Sequence, residues 1–239
     1  MEKTSIIFVH HSSNKNRVGL AIESLNSLYE SVKHLPVEII VVDNGGDWVM
    51  SAWFNTAVEE NKITHYIHNS SNVWFGYGRN QAVALSSGEI LCFVDNDIIY
   101  AKGWLDECLE ILRFTRGTNR TATPLAVDRA HRKHDHYLEP LHIRGVEHVV
   151  NRLAGSNCWA MWRSDFYKVG EFTTHPIAGT QWQKTYSRLG YGMVLTEIPM
   201  AVDRGFYRSP YQGYSKKSES WDNIIKKWIN GDEEYLFGK

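Results

Sequence analysis

The stretch that decides the fold is Gly88-Glu89-Ile90-Leu91-Cys92-Phe93-Val94-Asp95-Asn96-Asp97. Its apolar run, residues 90–94, predicts a strand that is buried on both faces, and the run ends at two carboxylates that one residue separates. Ligands of open α/β sheets bind beyond the carboxyl ends of the strands. Asp95 and Asp97 therefore form a candidate site for Mg²⁺ or Mn²⁺, which prefer oxygen ligands. The same spacing is also typical of solvated strand ends and of turns, so other parts of the chain have to support a metal site.

The length and composition predict one domain with a full hydrophobic core and room for an appendage. The chain has 239 residues, of which 43% are apolar and 22% are charged. No run approaches the ~20 apolar residues of a membrane-spanning helix, and residues 1–4 lead into a strand pattern instead of a signal-peptide core, so we expect a cytoplasmic protein. The formal net charge of -1 gives no general attraction to nucleic acid, and we expect no stable nucleic-acid binding.

The three cysteines, Cys92, Cys108 and Cys158, are predicted to be buried thiols. Their number is odd and their surroundings are apolar, which argues against a disulfide framework and against a zinc site. We therefore expect neither disulfide pairing nor metal binding from them.

Upstream of the opening stretch, the sequence alternates between strand and helix patterns. Strand patterns cover residues 5–9, 37–42 and 63–67, a helical pattern follows the first of them, and residues 77–86 predict a short helix that leads into the strand at 90–94. This alternation implies a parallel sheet with right-handed crossovers and helices on both faces. It places the polar segments 10–14, 43–47, 72–80 and 95–97 at one edge of the sheet.

Two of these polar segments suggest contacts with a nucleotide. Asp43 ends the second strand pattern and is placed to accept hydrogen bonds from a base or ribose, although an Asp there is equally suited to cap the next helix. Gly76-Tyr77-Gly78-Arg79-Asn80 offers flexible backbone beside a cation, as an approach to phosphate requires. It lacks the Lys-Ser/Thr ending of a phosphate loop.

The order of these motifs resembles glycosyltransferase family 2, whose members have the GT-A fold. The resemblance covers roughly residues 4 to 205. It is carried by Val37-Glu38-Ile39-Ile40-Val41-Val42-Asp43-Asn44-Gly45, by Asn72, Gly76 and Arg79-Asn80, by Ser87 to Asp97, by Gly155-Ser156-Asn157, Arg163, Phe166 and Val169-Gly170-Glu171-Phe172, and by Leu189-Gly190-Tyr191 to Ile198-Pro199.

The resemblance implies an α/β fold of the GT-A type over residues 1–205, with a single Rossmann-like, doubly wound mixed sheet. It implies a transferase that moves a sugar from a nucleoside diphosphate sugar, with UDP expected, to a hydroxyl of a glycan or other acceptor, with inversion expected. Asp43 would bind the nucleoside, Arg79 would lie near the base or phosphates, Asp95 would meet the ribose or the metal, and Asp97 would hold the Mn²⁺ or Mg²⁺ that bridges the diphosphate. Asn72 is a further candidate for binding the nucleotide sugar. The alternative is a catalytically silent module of the same fold that binds nucleotide sugars or glycans.

The catalytic base is the point at which the sequence departs from that resemblance. Inverting members of the family carry an acidic pair before the helix that leads to the Leu-Gly-Tyr segment, but residues 177–183 here contain no carboxylate. Asp203, which follows a strand pattern and can return to the sheet edge, is our first candidate for the base, and His175 is the second. Asp203 is equally a candidate third metal ligand. A retaining reaction, or a protein without catalysis, would need no such base.

The second half of the chain is less regular. Residues 103–114 predict a helix and residues 122–127 a strand, but residues 128–151 show no periodicity and are rich in His and Arg. We predict that they form a mobile flap that orders over the active site when the donor binds. Within it, His131-x-x-His134-x-His136 suggests either a metal site or an ordinary surface loop. Together with Arg113, Arg116 and Arg120 the segment is locally basic, as a solvated surface or a site for diphosphate or an acidic acceptor would be.

The last part, residues 206–239, predicts a linker and an amphipathic helix. Apolar residues recur at helical spacing, with Ser220 as the N-cap and Gly231 as the stop; they are Trp221, Ile224, Ile225, Trp228 and Ile229. We expect this helix to pack on the catalytic domain, and a peripheral membrane contact or a partner surface is the alternative.

Overall fold

The computed structural model describes residues 2–11, 15–126, 136–152, 158–174 and 178–203. The strands are β1 (Thr4–His10), β2 (Val37–Asn44), β3 (His65–Asn69), β4 (Ile90–Val94), β5 (Ile98–Tyr100), β6 (Arg120–Ala126), β7 (Tyr137–Ile143), β8 (Val146–Asn151), β9 (Cys158–Trp162) and β10 (Gly192–Asp203). The helices are α1 (Lys15–Val32), α2 (Trp48–Glu59), α3 (Trp74–Leu85), α4 (Trp104–Phe114), α5 (Arg163–Val169) and α6 (Ala178–Arg188).

The described strands form one mixed sheet in the order β3-β2-β1-β4-β9-β6-β10-β8-β7, and β5 pairs with β10. The first four in this order are parallel, as the alternating pattern predicted. β9 runs antiparallel to both β4 and β6, so β6 points in the same direction as β4. We call the edge where β1 to β4 begin the amino edge, and the edge where they end the carboxyl edge. The chain order reverses between β1 and β4, which makes a topological switch point at the carboxyl edge.

Helices cover both faces of the sheet, which confirms the doubly wound arrangement. Ile6 and Phe8 of β1 pack with α1, α2 and α4, whereas Ile7 packs with α3, α5 and α6. This division follows from the alternation of side chains along a strand. Every residue of β4 is buried, as expected for a strand covered on both sides. Burial of each large apolar side chain contributes about 1.5–3 kcal/mol, so the two cores hold the carboxyl edge in place.

The cysteine prediction is confirmed, since Cys92, Cys108 and Cys158 are all buried and free. The described part of the chain contains no helix that is long and apolar enough to cross a membrane. Residues 204–239, with the predicted linker and amphipathic helix, lie outside the described residues.

The structure corrects the prediction of irregular backbone for residues 137–151, and the predicted ordering of residues 128–151 over the active site on donor binding stays a prediction. Residues 137–151 form a β-hairpin of β7 and β8, in which Ile143 pairs with Val146. Its turn, Arg144-Gly145, has positive φ at both residues (50° and 86°), a conformation for which Asn-Gly or Asp-Gly is the usual sequence signal. The sequence has Arg at the first turn position, so the usual signal for a hairpin turn is absent. Residues 127–135, including His131 and His134, lie outside the described residues.

One histidine of the hairpin, His148, has a structural role, and the other two are exposed. The Nδ1 atom of His148 is buried 3.0 Å from the carbonyl oxygen of Leu195, so the ring joins β8 to β10. His142 lies 3.6 Å from the Glu147 carboxylate on the facing strand. His136 is exposed just before β7.

The basic region is also explained by local contacts. Arg113 pairs with Glu2 at 2.9 Å, Arg120 pairs with Glu139, and the guanidinium of Arg116 lies 4.4 Å from the centre of the Trp162 ring. Arg120 begins β6 and therefore lies at the amino edge, away from Asp95 and Asp97. This placement does not support a diphosphate site formed by these arginines, and a site for an acidic acceptor stays a prediction.

Candidate active site

The polar segments that end β1 to β4 meet at the carboxyl edge, as the alternating pattern predicted. His10 at the end of β1 lies beside Asp43 of β2 in the parallel register. Asp43 in turn lies beside His68 of β3. The Asp95-Asn96-Asp97 motif follows β4 immediately. It therefore lies at the switch point between β1 and β4, where open α/β sheets bind their ligands.

Each residue of the motif is held by a different element. Asp95 Oδ1 accepts a hydrogen bond from Arg79 Nη2 of α3 at 2.9 Å. Asn96 Nδ2 donates to His10 Nδ1 of β1 at 3.0 Å. Asp97 Oδ2 lies 3.5 Å from Arg17 Nη1 of α1, which makes a long and exposed ion pair. The carboxylates nonetheless remain 35% (Asp95) and 17% (Asp97) exposed, so a ligand has access to both.

Arg79 is buried beneath Asp95 and does not extend towards the position expected for the phosphates. Its guanidinium carbon lies 4.8–5.7 Å from the centres of four aromatic rings, those of Phe75, Phe93, Trp159 and Phe172. Burial lowers the pKa of Arg79, and the negative charge of Asp95 opposes that shift. The Nε and Nη1 atoms have no hydrogen-bond partner among the described residues. In this structure Arg79 positions Asp95, and the predicted contact with base or phosphate stays a prediction.

His10 is a site residue that the sequence analysis did not single out. It is fully buried, and burial lowers its pKa to about 4, so the ring is neutral at neutral pH. Because Asn96 donates to Nδ1, the ring proton is on Nε2. The available signal was a lone His at the end of an apolar strand pattern, which does not distinguish a packed ring from a functional one.

Asp43 belongs to a buried network at the same edge. Oδ1 accepts from the Gly46 N–H at 3.0 Å, and Oδ2 accepts from the hydroxyls of Ser51 at 2.6 Å and Tyr66 at 3.1 Å. Burial alone would raise the pKa of Asp43, but these hydrogen bonds outweigh it and lower the pKa. The side chain has no exposed surface. A nucleoside reaches this carboxylate only by displacing one of its donors, so the predicted nucleoside contact stays a prediction.

Asn72 shapes the loop between β3 and α3. Its Oδ1 accepts from the N–H of Trp74 at 2.8 Å. Asn44 at the end of β2 donates from Nδ2 to the carbonyl oxygen of Trp74 at 3.2 Å. The loop is thus tied to the ends of two strands, and it lies at the edge where a nucleoside is expected.

The sequence matches a model of a known protein family. The model described as glycosyl transferase family 2 matches residues 5–203. The chain belongs to glycosyl transferase family 2. The match runs from β1 to β10 and so includes every element that forms the carboxyl edge. A search of curated proteins found no match to the sequence.

Solved structures show that the fold is shared with known glycosyltransferases. GalNAc-T7 with UDP, GalNAc and Mn²⁺ has a TM-score of 0.62 and 10% identity over 82% of this chain. Mannosyltransferase PcManGT from Pyrobaculum calidifontis, in complex with GDP-Man and Mn²⁺, has a TM-score of 0.64 and 15% identity over 98%. S. aureus TarS 1-349 has a TM-score of 0.62 and 16% identity over 99%. This family 2 chain therefore has the GT-A fold, and it spans 42%, 70% and 72% of those three chains.

Asp203 returns to the carboxyl edge of the family 2 chain, as predicted. It is the last residue of β10 and pairs with Ile98, the residue after Asp97. Asp203 is 6% exposed. The geometry brings this carboxylate to the motif but does not separate the role of a base from that of a metal ligand. His175, the second candidate, lies outside the described residues.

The segment without carboxylates, residues 177–183, enters α6. Trp182 is buried there and donates from Nε1 to the Gly170 carbonyl oxygen at 2.8 Å. The Gln181 side-chain oxygen accepts from the Thr173 hydroxyl at 2.6 Å. These contacts attach α6 to the segment that follows α5. The described side chains of residues 178–183 supply no proton acceptor with the basicity of a carboxylate.

Asp95 and Asp97 could hold a divalent cation only if a bound ligand and water supply the other coordinating atoms. Among the described residues, no three His, Cys, Asp or Glu side chains come together to hold a metal ion. Asp95 and Asp97 do offer the hard oxygen atoms that Mn²⁺ and Mg²⁺ prefer, and the long Arg17 pair is easily exchanged. The remaining ligands would be oxygens of the bound diphosphate and water.

Proposed function

We propose that this family 2 chain is a metal-dependent glycosyltransferase that moves a sugar from a nucleoside diphosphate sugar, expected to be a UDP-sugar, to a hydroxyl of an acceptor. One observation carries the proposal. Asp95 and Asp97 lie at the topological switch point, partly exposed, within a motif that α1, α3 and β1 hold in place. The donor class is also that of two similar structures, which contain UDP or GDP-Man with Mn²⁺.

In this proposal Asp97 is the principal protein ligand of the ion. A bound Mn²⁺ or Mg²⁺ would neutralise the charge that develops on the departing nucleoside diphosphate. Asp95 accepts a hydrogen bond from Arg79 at Oδ1 and is 35% exposed, so its carboxylate would contact the ribose or the ion from its exposed side. Arg79 holds the carboxylate in place, because its guanidinium is itself packed by aromatic rings.

Asp203 is the proposed base. It would accept the proton of the acceptor hydroxyl as that oxygen attacks the anomeric carbon, which gives inversion of configuration. Its position beside Ile98 puts it at the edge where the diphosphate leaves. The acceptor would be a glycan or another molecule with a free hydroxyl.

The test of the proposal is UDP binding by calorimetry with and without Mn²⁺. Asp97→Asn should weaken Mn²⁺-dependent UDP binding by more than about 100-fold, because loss of a direct ligand exceeds the 10–100-fold effect of second-shell changes. The melting temperature should stay unchanged, since Asp97 is partly exposed. Asp106→Asn, which changes an exposed carboxylate of α4 that pairs with His34, is the matched control. Binding by Asp97→Asn that equals wild-type binding would refute the assignment.

A silent binding module is the second candidate, because residues 177–183 contain no carboxylate. Slow hydrolysis of UDP-sugars with Mn²⁺ separates the two, since it requires catalysis but no knowledge of the acceptor. Thermal-shift measurements with a panel of nucleotide sugars would identify the donor. Donor binding without any hydrolysis or transfer would favour the module.

A further inference from the structure

Trp74, the first residue of α3, has a strained backbone. Its φ is +65°, a value at which a bulky side chain crowds its own backbone and which glycine adopts freely. Strain of this kind persists only where the surroundings enforce it, and it is concentrated at functional sites. The strain and the position of Trp74 at the carboxyl edge therefore indicate a functional role for its indole.

The surroundings of Trp74 enforce the strain. Both of its backbone polar groups are held, the N–H by Asn72 and the carbonyl oxygen by Asn44. The loop that follows β2 is pressed against the same region, because a Cβ on Gly45 would lie 2.8 Å from the Cα of Ser71. The conformation at position 74 is thus set by the ends of β2 and β3, not by the indole.

The strained residue presents its side chain outward. Phe75 packs against the core and lies over Arg79, with 5.0 Å between ring centre and guanidinium carbon. Trp74 instead is 46% exposed, although an indole offers one of the largest apolar surfaces of any side chain. The half-exposed indole gains too little packing energy to offset the strain of its backbone. A ligand that packs on the indole would supply the missing contact.

We propose that Trp74 is the stacking residue for the nucleobase of the donor. This inference rests on the proposed function, which places the diphosphate at Asp97. Trp74 is held by Asn44 at the end of β2, which lies two strands from β4 in the sheet, and strands lie about 4.7–4.9 Å apart, which gives about 10 Å across the sheet between the two positions. That separation is comparable to the distance between the diphosphate and the base of an extended nucleoside diphosphate. A base at the far end would meet the exposed indole, and stacking on an aromatic ring tolerates any base.

The experiment compares Trp74→Gly and Trp74→Phe with the wild type. Dissociation constants for UDP and for inorganic pyrophosphate, both with Mg²⁺, are measured together with melting temperatures. Trp74→Gly should weaken UDP binding about fivefold to one-hundred-fold, the range of one base–aromatic stack, and leave pyrophosphate binding unchanged. Trp74→Phe should retain most of the UDP affinity. The melting temperature of Trp74→Gly should stay the same or rise by up to about 4 °C, because glycine relieves the strain.

Trp74→Gly places glycine at a positive φ and also removes an exposed aromatic ring. Each of these two changes has its own control variant. Asn61→Gly places glycine at another positive φ (58°), in the turn after α2 and away from the site. Phe114→Ala removes another exposed aromatic ring, at the end of α4 near the amino edge. Neither should change UDP affinity.

The outcomes separate this inference from the proposed function. Equal UDP affinity in Trp74→Gly and wild type overturns the stacking role, and a loss of transfer alone would assign the indole to the acceptor instead. Equal losses of UDP and pyrophosphate affinity would mean that the variant disturbs the diphosphate site, which also overturns it. A wild-type protein that binds neither compound would refute the proposed function and this inference with it.

Discussion

Carboxylates lie beside cations at both edges of the sheet, but only the carboxyl edge leaves them open. At the amino edge, Glu38 is 2% exposed and accepts hydrogen bonds from the Ser5 hydroxyl at 2.6 Å and the Ser87 N–H at 2.6 Å, while Lys3 lies 2.7 Å away. Burial alone would raise the pKa of Glu38, but the hydrogen bonds from Lys3, Ser5 and Ser87 outweigh it and lower the pKa to about 2. The chain itself satisfies this carboxylate completely.

At the carboxyl edge the corresponding carboxylates remain accessible to solvent. Asp95 and Asp97 keep exposed surface, the Arg17 pair is long, and two nitrogen atoms of Arg79 have no partner among the described residues. Buried charge therefore does not locate a binding site by itself. A site is indicated where the fold holds charged groups in place and leaves part of their hydrogen-bonding capacity to a ligand.

The largest effect is expected at the open edge, from Asp203→Asn. If Asp203 is the base, turnover should fall by ~10²–10⁴-fold while the UDP dissociation constant changes little, because only proton transfer is lost. Steady-state transfer assays and calorimetry measure the two quantities. Asp165→Asn is the control, since Asp165 is also 6% exposed but lies on α5, which follows β9 at the amino edge.

Two other results would change the role of Asp203. Loss of Mn²⁺-dependent UDP binding in the variant would make Asp203 a metal ligand. A product whose NMR spectrum shows the anomeric configuration of the donor would remove the need for a general base.

At the closed edge, Glu38→Gln should reduce stability without reducing catalysis. The amide loses the charge-assisted hydrogen bonds and leaves buried donors poorly matched, which should cost about 2–3 kcal/mol of unfolding free energy. In a protein of this size that corresponds to a fall in melting temperature of roughly 4–12 °C. Activity per folded molecule should equal that of the wild type. If Glu38→Gln had wild-type stability but reduced turnover, the amino edge would have a functional role, which would contradict the comparison between the two edges.

A smaller effect is the pH dependence of the Glu38 contribution. The pKa of Glu38 is lowered from 4.5 to about 2 in the folded state, so its contribution is fully present above pH 4.5 and disappears as pH falls towards 2. The difference in unfolding free energy between wild type and Glu38→Gln should narrow over that interval. Urea denaturation at several pH values measures it. A constant difference down to pH 2 would show that the charge of Glu38 is not the cause.

The sequence was sufficient for features that depend on local patterns. The buried run at residues 90–94 and the strand–helix alternation before it predicted the parallel half of the sheet, and the parallel register then required Asp43 and Asp95 to share an edge. The return of Asp203 to that edge followed from the same logic.

Features that depend on contacts between distant segments were not accessible in this way. The burial of Arg79 requires rings from β4 and β9 and from the loop after α5, and its pairing with Asp95 removes it from the surface where a basic residue is expected. The β7–β8 hairpin was missed because Arg144 adopts a turn conformation that its residue type does not signal. The segment with His10 was placed at the correct edge, but its burial and its contact with Asn96 depend on the packing of the folded chain.

The two arginines at the motif have a consequence for the order in which ligands enter. Arg79 and Arg17 bring one positive charge each to Asp95 and Asp97, so these two ion pairs are neutral together and Asp203 is the further carboxylate beside the motif. A free divalent cation therefore gains less long-range attraction than three unpaired carboxylates would supply. A nucleoside diphosphate sugar carries two negative charges, which one Mn²⁺ or Mg²⁺ cancels. We expect cation and nucleotide to enter as a single uncharged complex, with Arg17 turning away to the solvent as that complex takes its place on Asp97.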